Sequence, residues 1–188
     1  MKRIAIFASG SGSNAEKISE YFSERTDVEV SLILTNNPQA GVIQRARKLH
    51  IPVVVFDRHS FYDSNKILDL LKNNQTDLIV LAGFMMLIPD FLVKAYPDRM
   101  VNIHPALLPK YGGKGMYGQF VHEAVVAARE TESGITIHYV NENYDEGNVI
   151  FQATCEVLES DSADDVANKI HVLEHHYYPL VIDEILTK

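Results

Sequence analysis

The chain has 188 residues, 46% of them hydrophobic and 22% charged, and a formal net charge of −8. That length suits one domain with a full core, and the acidic balance excludes a general nucleic-acid binder, which needs a basic stripe. The lone Cys155 excludes an internal disulfide framework and a cysteine-rich metal site, and with an apolar run, Ile4–Ala8, too short for a signal or membrane segment it predicts a cytoplasmic protein.

Short apolar runs alternate with amphipathic segments, which predicts βα units around a mainly parallel sheet. Arg3–Ala8, Val28–Leu34, Val53–Phe56 and Leu78–Leu81 read as buried strands, with helices over Asn14–Ser23, Gly41–Leu49 and Ser60–Asn73 between them. A short helix over Asp90–Ala95 precedes a fifth strand, Met100–His104. Then the pattern changes. Gly118–Glu130 reads as helix, while Gly134–Val140 and Val149–Leu158 read as strands joined by the polar, hairpin-like connection Asn141–Gly147. The stretch Ser162–Leu186 reads as helix, with Ser162 as N-cap and Asp164 and Asp165 in its first turn. With neither repeat nor linker, the expectation is an α/β fold, single-domain and doubly wound, with an antiparallel C-terminal extension and a C-terminal helix. Roughly residues 1–100 are expected to form its phosphate-binding half and 101–188 its folate-binding and catalytic half.

The first strand runs into Ser9-Gly10-Ser11-Gly12-Ser13-Asn14-Ala15, formally G-x-G-x-x-A between strand and helix. Glycines let a ligand approach the backbone, and the helix start presents unpaired N–H groups to an anion. A dinucleotide needs an acidic residue after strand two for the ribose, where this chain has Thr35-Asn36-Asn37-Pro38, so a single phosphate fits better. A tight turn that merely caps the helix is the bland alternative. Ala82–Pro89 is unusually apolar for a loop, and either core packing or a slot for a flat aromatic ligand accounts for it.

Asn102-Ile103-His104-Pro105 places an amide and an imidazole on the same side of a strand end. Asp145, in Asn143-Tyr144-Asp145-Glu146-Gly147, could orient and charge that imidazole. Such a set suits acyl or formyl transfer to an amine. His138 reads as structural or pocket-lining; His50, His59, His122, His171, His175 and His176 have no metal-ligand spacing, so no metal is expected.

Taken in order, Gly12-Ser13-Asn14, Leu81-Ala82-Gly83-Phe84-Met85, Asn102-Ile103-His104-Pro105, Leu107-Leu108-Pro109, Asp145 and Glu174-His175 resemble the phosphoribosylglycinamide formyltransferase family over essentially the whole chain. The resemblance implies a Rossmann-like formyltransferase fold. It also implies formyl transfer from N10-formyl-tetrahydrofolate, as co-substrate, to the amine of the ribonucleotide in purine biosynthesis. A formyl-tetrahydrofolate hydrolase, or transfer to another amine, is the alternative. By the same resemblance Asn102, His104 and Asp145 are catalytic. Gly12, Ser13, Asn14, Ala15, Glu16 and Glu174 hold the ribonucleotide, and Asn65, Met85, Met86, Leu87, Ile88, Arg99, Asn102, Asn141 and Tyr144 contact the folate. Small molecules are then the partners, with no nucleic acid or membrane, for a monomer or homodimer. Many relatives carry Ser where Ala106 stands and Arg where Met86 and, nearby, Asn65 stand. Tyr111–Gly118 is longer than in several of them, a glycine-rich lid over the site.

Overall fold

The computed structural model describes residues 1–187. β1 (Lys2–Phe7) leads into α1 (Ser13–Phe22), β2 (Val28–Thr35) into α2 (Val42–Lys48), and β3 (Val53–Val55) into α3 (Arg58–Tyr62) and α4 (Lys66–Asn73). β4 (Leu78–Leu81), α5 (Asp90–Ala95), β5 (Met100–His104), α6 (Gln119–Ala127), β6 (Glu132–Tyr139), β7 (Val149–Glu156) and α7 (Ala163–Thr187) follow. The strands form one seven-stranded sheet in the order β3-β2-β1-β4-β5-β6-β7. β1 to β5 pair in parallel, while β6 is antiparallel to β5 and β7 to β6. This is the α/β architecture expected, with its antiparallel extension and C-terminal helix.

Side-chain alternation along β1 explains why helices cover both faces. Ile4 and Ile6 point into a core shared with Ile18 and Phe22 of α1 and Ile170 and Tyr178 of α7. Ala5 and Phe7 point into a second core with Phe61, Leu71 and Leu92. Burying a single such aliphatic or aromatic side chain contributes roughly 1.5–3 kcal/mol, so a polar substitution at Ile6 or Phe7 would disrupt one whole layer.

α7 starts as its sequence predicts. Ser162 Oγ accepts from Asp165 N at 3.2 Å and the Asp165 carboxylate accepts from Ser162 N at 2.9 Å, a reciprocal capping box. Further along, the fully buried Tyr178 hydroxyl donates to the carbonyls of Leu81 (2.9 Å) and Val101 (3.2 Å), which pins α7 beneath the ends of β4 and β5.

One expected helix is two. The segment expected to be helical from Ser60 to Asn73 breaks at Asp63-Ser64-Asn65. Asp57 caps the first piece by accepting from Ser60 N at 2.7 Å, and Ser64 Oγ folds back onto the Ser60 carbonyl at 3.0 Å. Short polar side chains compete with the helical backbone in this way, and apolar periodicity does not register it.

The chain passes from β1 outward to β2 and β3, then returns to place β4 on the other flank of β1. At such a reversal the loops after adjacent strands diverge and leave a crevice at their carboxyl ends. Here those loops follow β1, β4 and β5.

Candidate active site

A cavity of about 520 Å³ fills this crevice, walled by Gly10–Asn14 after β1, Leu81–Ile88 after β4 and Asn102–Pro105 at the end of β5. Gly113–Gly118, Val140–Asn141, Asn143–Asp145 and the α7 residues Ile170, His171 and Glu174 close the remaining sides.

The glycine turn forms part of the wall. Gly12 is the N-cap of α1 with φ +78°, and no side chain caps the helix. The amides of Ser13, Asn14 and Ala15, as the first three of the helix, therefore lack intrahelical acceptors and form an anion-binding start. A Cβ on Gly12 would meet Val42 Cβ at 2.5 Å. Gly12→Ala thus combines backbone strain with a clash, and we expect a loss of at least roughly 1–3 kcal/mol in denaturant unfolding together with weakened anion binding. Unchanged stability would mean that the turn relaxes freely. Against this turn, Glu174 on α7 accepts from Asn14 Nδ2 at 2.9 Å. Burial pushes the Glu174 carboxyl above its usual value, opposed by the Asn14 hydrogen bond and the nearby His171.

The register of β5 with β6 builds the centre. Asn102 stands opposite His138 and His104 opposite Thr136. His138 Nδ1–H donates to its neighbouring carbonyl, Tyr139 O, at 2.8 Å, so in the neutral ring Nε2 accepts from Asn102 Nδ2 at 3.2 Å. The same amide nitrogen lies 3.4 Å from Asp145 Oδ1, leaving Asn102 Oδ1 as the end free for a ligand. Asp145 itself has φ +57° and is fixed by Gly113 N–H at 2.9 Å. His104 is 3% exposed; its Nδ1 lies 3.5 Å from Asp145 Oδ2, and Nε2–H donates to Tyr111 O at 2.7 Å. Asn102, His104 and Asp145 are therefore brought together, with His138 as a fourth member. An extended segment alone gave no sign that its partner strand would set His138 against Asn102.

The electrostatics differ from the simple expectation that Asp145 keeps His104 charged. Burial lowers the His104 pKa, and this outweighs the upward pull of Asp145 and of the Tyr111 carbonyl. For Asp145, burial pushes upward, but His138, the charge of His104 and the Gly113 N–H together hold the carboxyl below its usual value. The resting pair is thus a carboxylate beside an imidazole biased toward neutrality.

The other expected positions divide. Met85, Met86, Leu87, Ile88, Asn141 and Tyr144 line the cavity. This apolar segment is held by Tyr62, whose hydroxyl donates to Leu87 O at 2.8 Å, and by Met85 N–H donating to Ser9 Oγ at 3.1 Å. Four expected contacts are not among the residues that line the cavity. Asn65 is an exposed cap of α4. Arg99 precedes β5, at the strand end opposite the crevice, stacks over Tyr96 at 5.0 Å and donates to Ala95 O. Ala15 has a fully buried side chain and could offer only its amide. Glu16 ion-pairs with Arg45, and its N–H donates to Gly12 O.

His122, on α6, went unassigned in the sequence yet lines the cavity, 3% exposed. Burial depresses its pKa from 6.5 to about 4, helped by the neighbouring His171 and His104. Its folded-state pKa lies below the unfolded one, so stability is complete above pH 6.5 and falls as pH drops toward 4. Water in the open cavity screens this shift, so we expect an acid loss of about 1–2 kcal/mol, absent from His122→Gln in pH-dependent unfolding. An identical acid profile in the variant would assign that loss elsewhere.

Among the described residues no cluster of three or more His, Cys, Asp or Glu is arranged to hold a metal ion, and no helix is long and apolar enough to cross a membrane.

The sequence and fold are similar to those of known proteins. The formyl transferase family matches residues 2–182. The phosphoribosylglycinamide formyltransferase of Bacillus subtilis is 40% identical over 99% of this chain and 95% of its own length. The chloroplastic phosphoribosylglycinamide formyltransferase of Arabidopsis thaliana is 40% identical over 98% of this chain, which spans only 65% of that longer protein. Among solved structures, the phosphoribosylglycinamide formyltransferase of Bacillus halodurans superposes with a TM-score of 0.88 at 38% identity, covering 100% of this chain and 96% of that one. That of Streptococcus pneumoniae gives 0.87 at 35% identity, covering 99% of each. The chain belongs to the formyl transferase family, in its phosphoribosylglycinamide formyltransferase branch.

Proposed function

We infer that the chain transfers the formyl group of N10-formyl-tetrahydrofolate to the amine of 5-phosphoribosylglycinamide. The products are formylglycinamide ribonucleotide and tetrahydrofolate. The observation that carries this reading is one cavity lined together by an anion-binding turn, an apolar slot and the Asn102–His104–Asp145 group. The ribonucleotide phosphate sits on Gly12, Ser13 and Asn14, with Glu174 near the ribose. The folate lies along Met85–Ile88, Asn141 and Tyr144. The formyl carbon then falls beside Asn102 and His104.

The amine lone pair attacks the formyl carbon, and charge grows on the formyl oxygen. A protonated His104 donates to that oxygen, where a preorganised donor is most effective. Asp145 supplies the field that makes proton uptake by His104 possible against its burial. As the intermediate collapses, the C–N10 bond breaks, N10 gains a proton and the former amine loses one. Asn102 Oδ1, left free by the His138 and Asp145 contacts, accepts an N–H of the attacking amine. The reaction needs no metal. The protein acts in the cytoplasm, and residues from both 1–100 and 101–188 serve each ligand within one domain.

The test is acceptor dependence. Deformylation of the folate, followed by absorbance, should require the nucleotide amine. Steady turnover without it would instead identify a hydrolase that releases formate.

A further inference from the structure

The roles proposed above leave one buried, titratable side chain in the cavity wall without a task. His122 is 3% exposed, lies in the first turn of α6 and lines the cavity, yet its ring makes no hydrogen bond to any described residue. Nδ1 is wholly buried and unpartnered, so Nε2 is the nitrogen that reaches the open volume. An orphaned buried N–H is rarer and costlier than an under-used acceptor. The favoured neutral tautomer therefore leaves the lone pair on Nδ1 and puts the proton on Nε2. The result is a fixed donor aimed into the cavity and bonded to nothing in the protein.

Its neighbours say which ligand it meets. His122 lines the same cavity as His171 and His104, on the side where α6 packs against α7. His171 lies one helical turn before Glu174, which is tied to Asn14 of the anion turn, whereas His104 belongs to the reacting centre. His122 thus borders the stretch between phosphate site and reaction centre. Resting on the formyl-transfer reading, that stretch holds the glycinamide arm of the acceptor, whose carbonyl oxygen is an acceptor atom.

We propose that His122 is a substrate-positioning residue: its Nε2–H donates to the carbonyl oxygen of the acceptor's glycinamide arm and holds the attacking amine on the His104 side of the cavity. The ring stays neutral through the working pH range, which keeps one donor in place and adds no charge beside His104.

The experiment separates the two Michaelis constants. In His122→Leu the KM for the ribonucleotide should rise roughly five- to tenfold, the worth of one neutral hydrogen bond, while the KM for formyl-folate stays within about twofold. His122→Gln, which can present an N–H from the same position, should recover most of that loss. An unchanged nucleotide KM in His122→Leu, or equal changes in both constants without recovery in Gln, would overturn the proposal. If the Leu variant does not fold, the wild-type protein still decides. Ring 15N signals of His122, assigned by their absence in His122→Gln, should move when ribonucleotide alone is added, and signals unmoved at saturation would refute the contact. No turnover of ribonucleotide by wild-type protein would instead reject the formyl-transfer reading itself.

Discussion

Asp145→Asn should lower turnover by roughly a hundredfold or more and move the basic limb of the pH–rate profile toward acid. The backbone offers no obstacle, because φ +57° suits Asn as well as Asp. What changes is charge. Asp145 is the one carboxylate that reaches His104 (3.5 Å), His138 (3.6 Å) and Asn102 (3.4 Å) together. It raises the proton affinity of His104 against a larger lowering by burial. Removing the negative charge leaves burial unopposed, so the His104 pKa falls further and the protonated form disappears at lower pH. The limb due to His104 deprotonation therefore shifts to lower pH, never to higher. A slower enzyme with an unmoved limb would show that Asp145 only holds the loop through Gly113.

The second large effect is expected at the other two members. Asn102→Ala and His104→Ala should each lose roughly a hundredfold to a thousandfold in kcat, with smaller changes in both KM values. For His104 the loss is that of the donor to the developing oxyanion. For Asn102 it is twofold in origin: the truncated side chain no longer meets the amine, and His138 Nε2 and Asp145 Oδ1 lose their shared partner. Because these groups act as one hydrogen-bonded unit, the double variant should be scarcely slower than the worse single one. Fully multiplicative losses would mean that the two side chains act independently. Near-normal turnover in either single variant would remove that residue from the mechanism.

Much of this arrangement is legible in the linear sequence because its signals are local. A continuous apolar run such as Leu78–Leu81 must be buried on both faces, and Gly12 at a strand–helix junction announces a positive φ. Asn102 and His104 are readable as a strand end because Pro105 stops the ladder just after them. What depends on non-local pairing is not readable. His138 reads as structural or pocket-lining and does line the cavity, but its pairing with Asn102 comes only from the antiparallel register of β6, and His122 joins the site only because α6 packs on α7. Expectations for Asn65, Arg99 and Glu16 came from resemblance alone, and these residues are not among those that line the cavity. A cap of α4, the wrong end of β5 and an ion pair with Arg45 hold them elsewhere. The sign of the His104 shift also lay beyond the sequence, since it is a contest between burial and one carboxylate, and only the folded geometry weighs them.

The central claim is direct transfer between two ligands bound in one cavity. Its most direct test supplies N10-formyl-tetrahydrofolate labelled in the formyl carbon, together with 5-phosphoribosylglycinamide and no added metal, and follows the label to product. The account requires one labelled formylglycinamide ribonucleotide for each tetrahydrofolate formed. Label appearing as free formate, or tetrahydrofolate accumulating without labelled nucleotide, would contradict it.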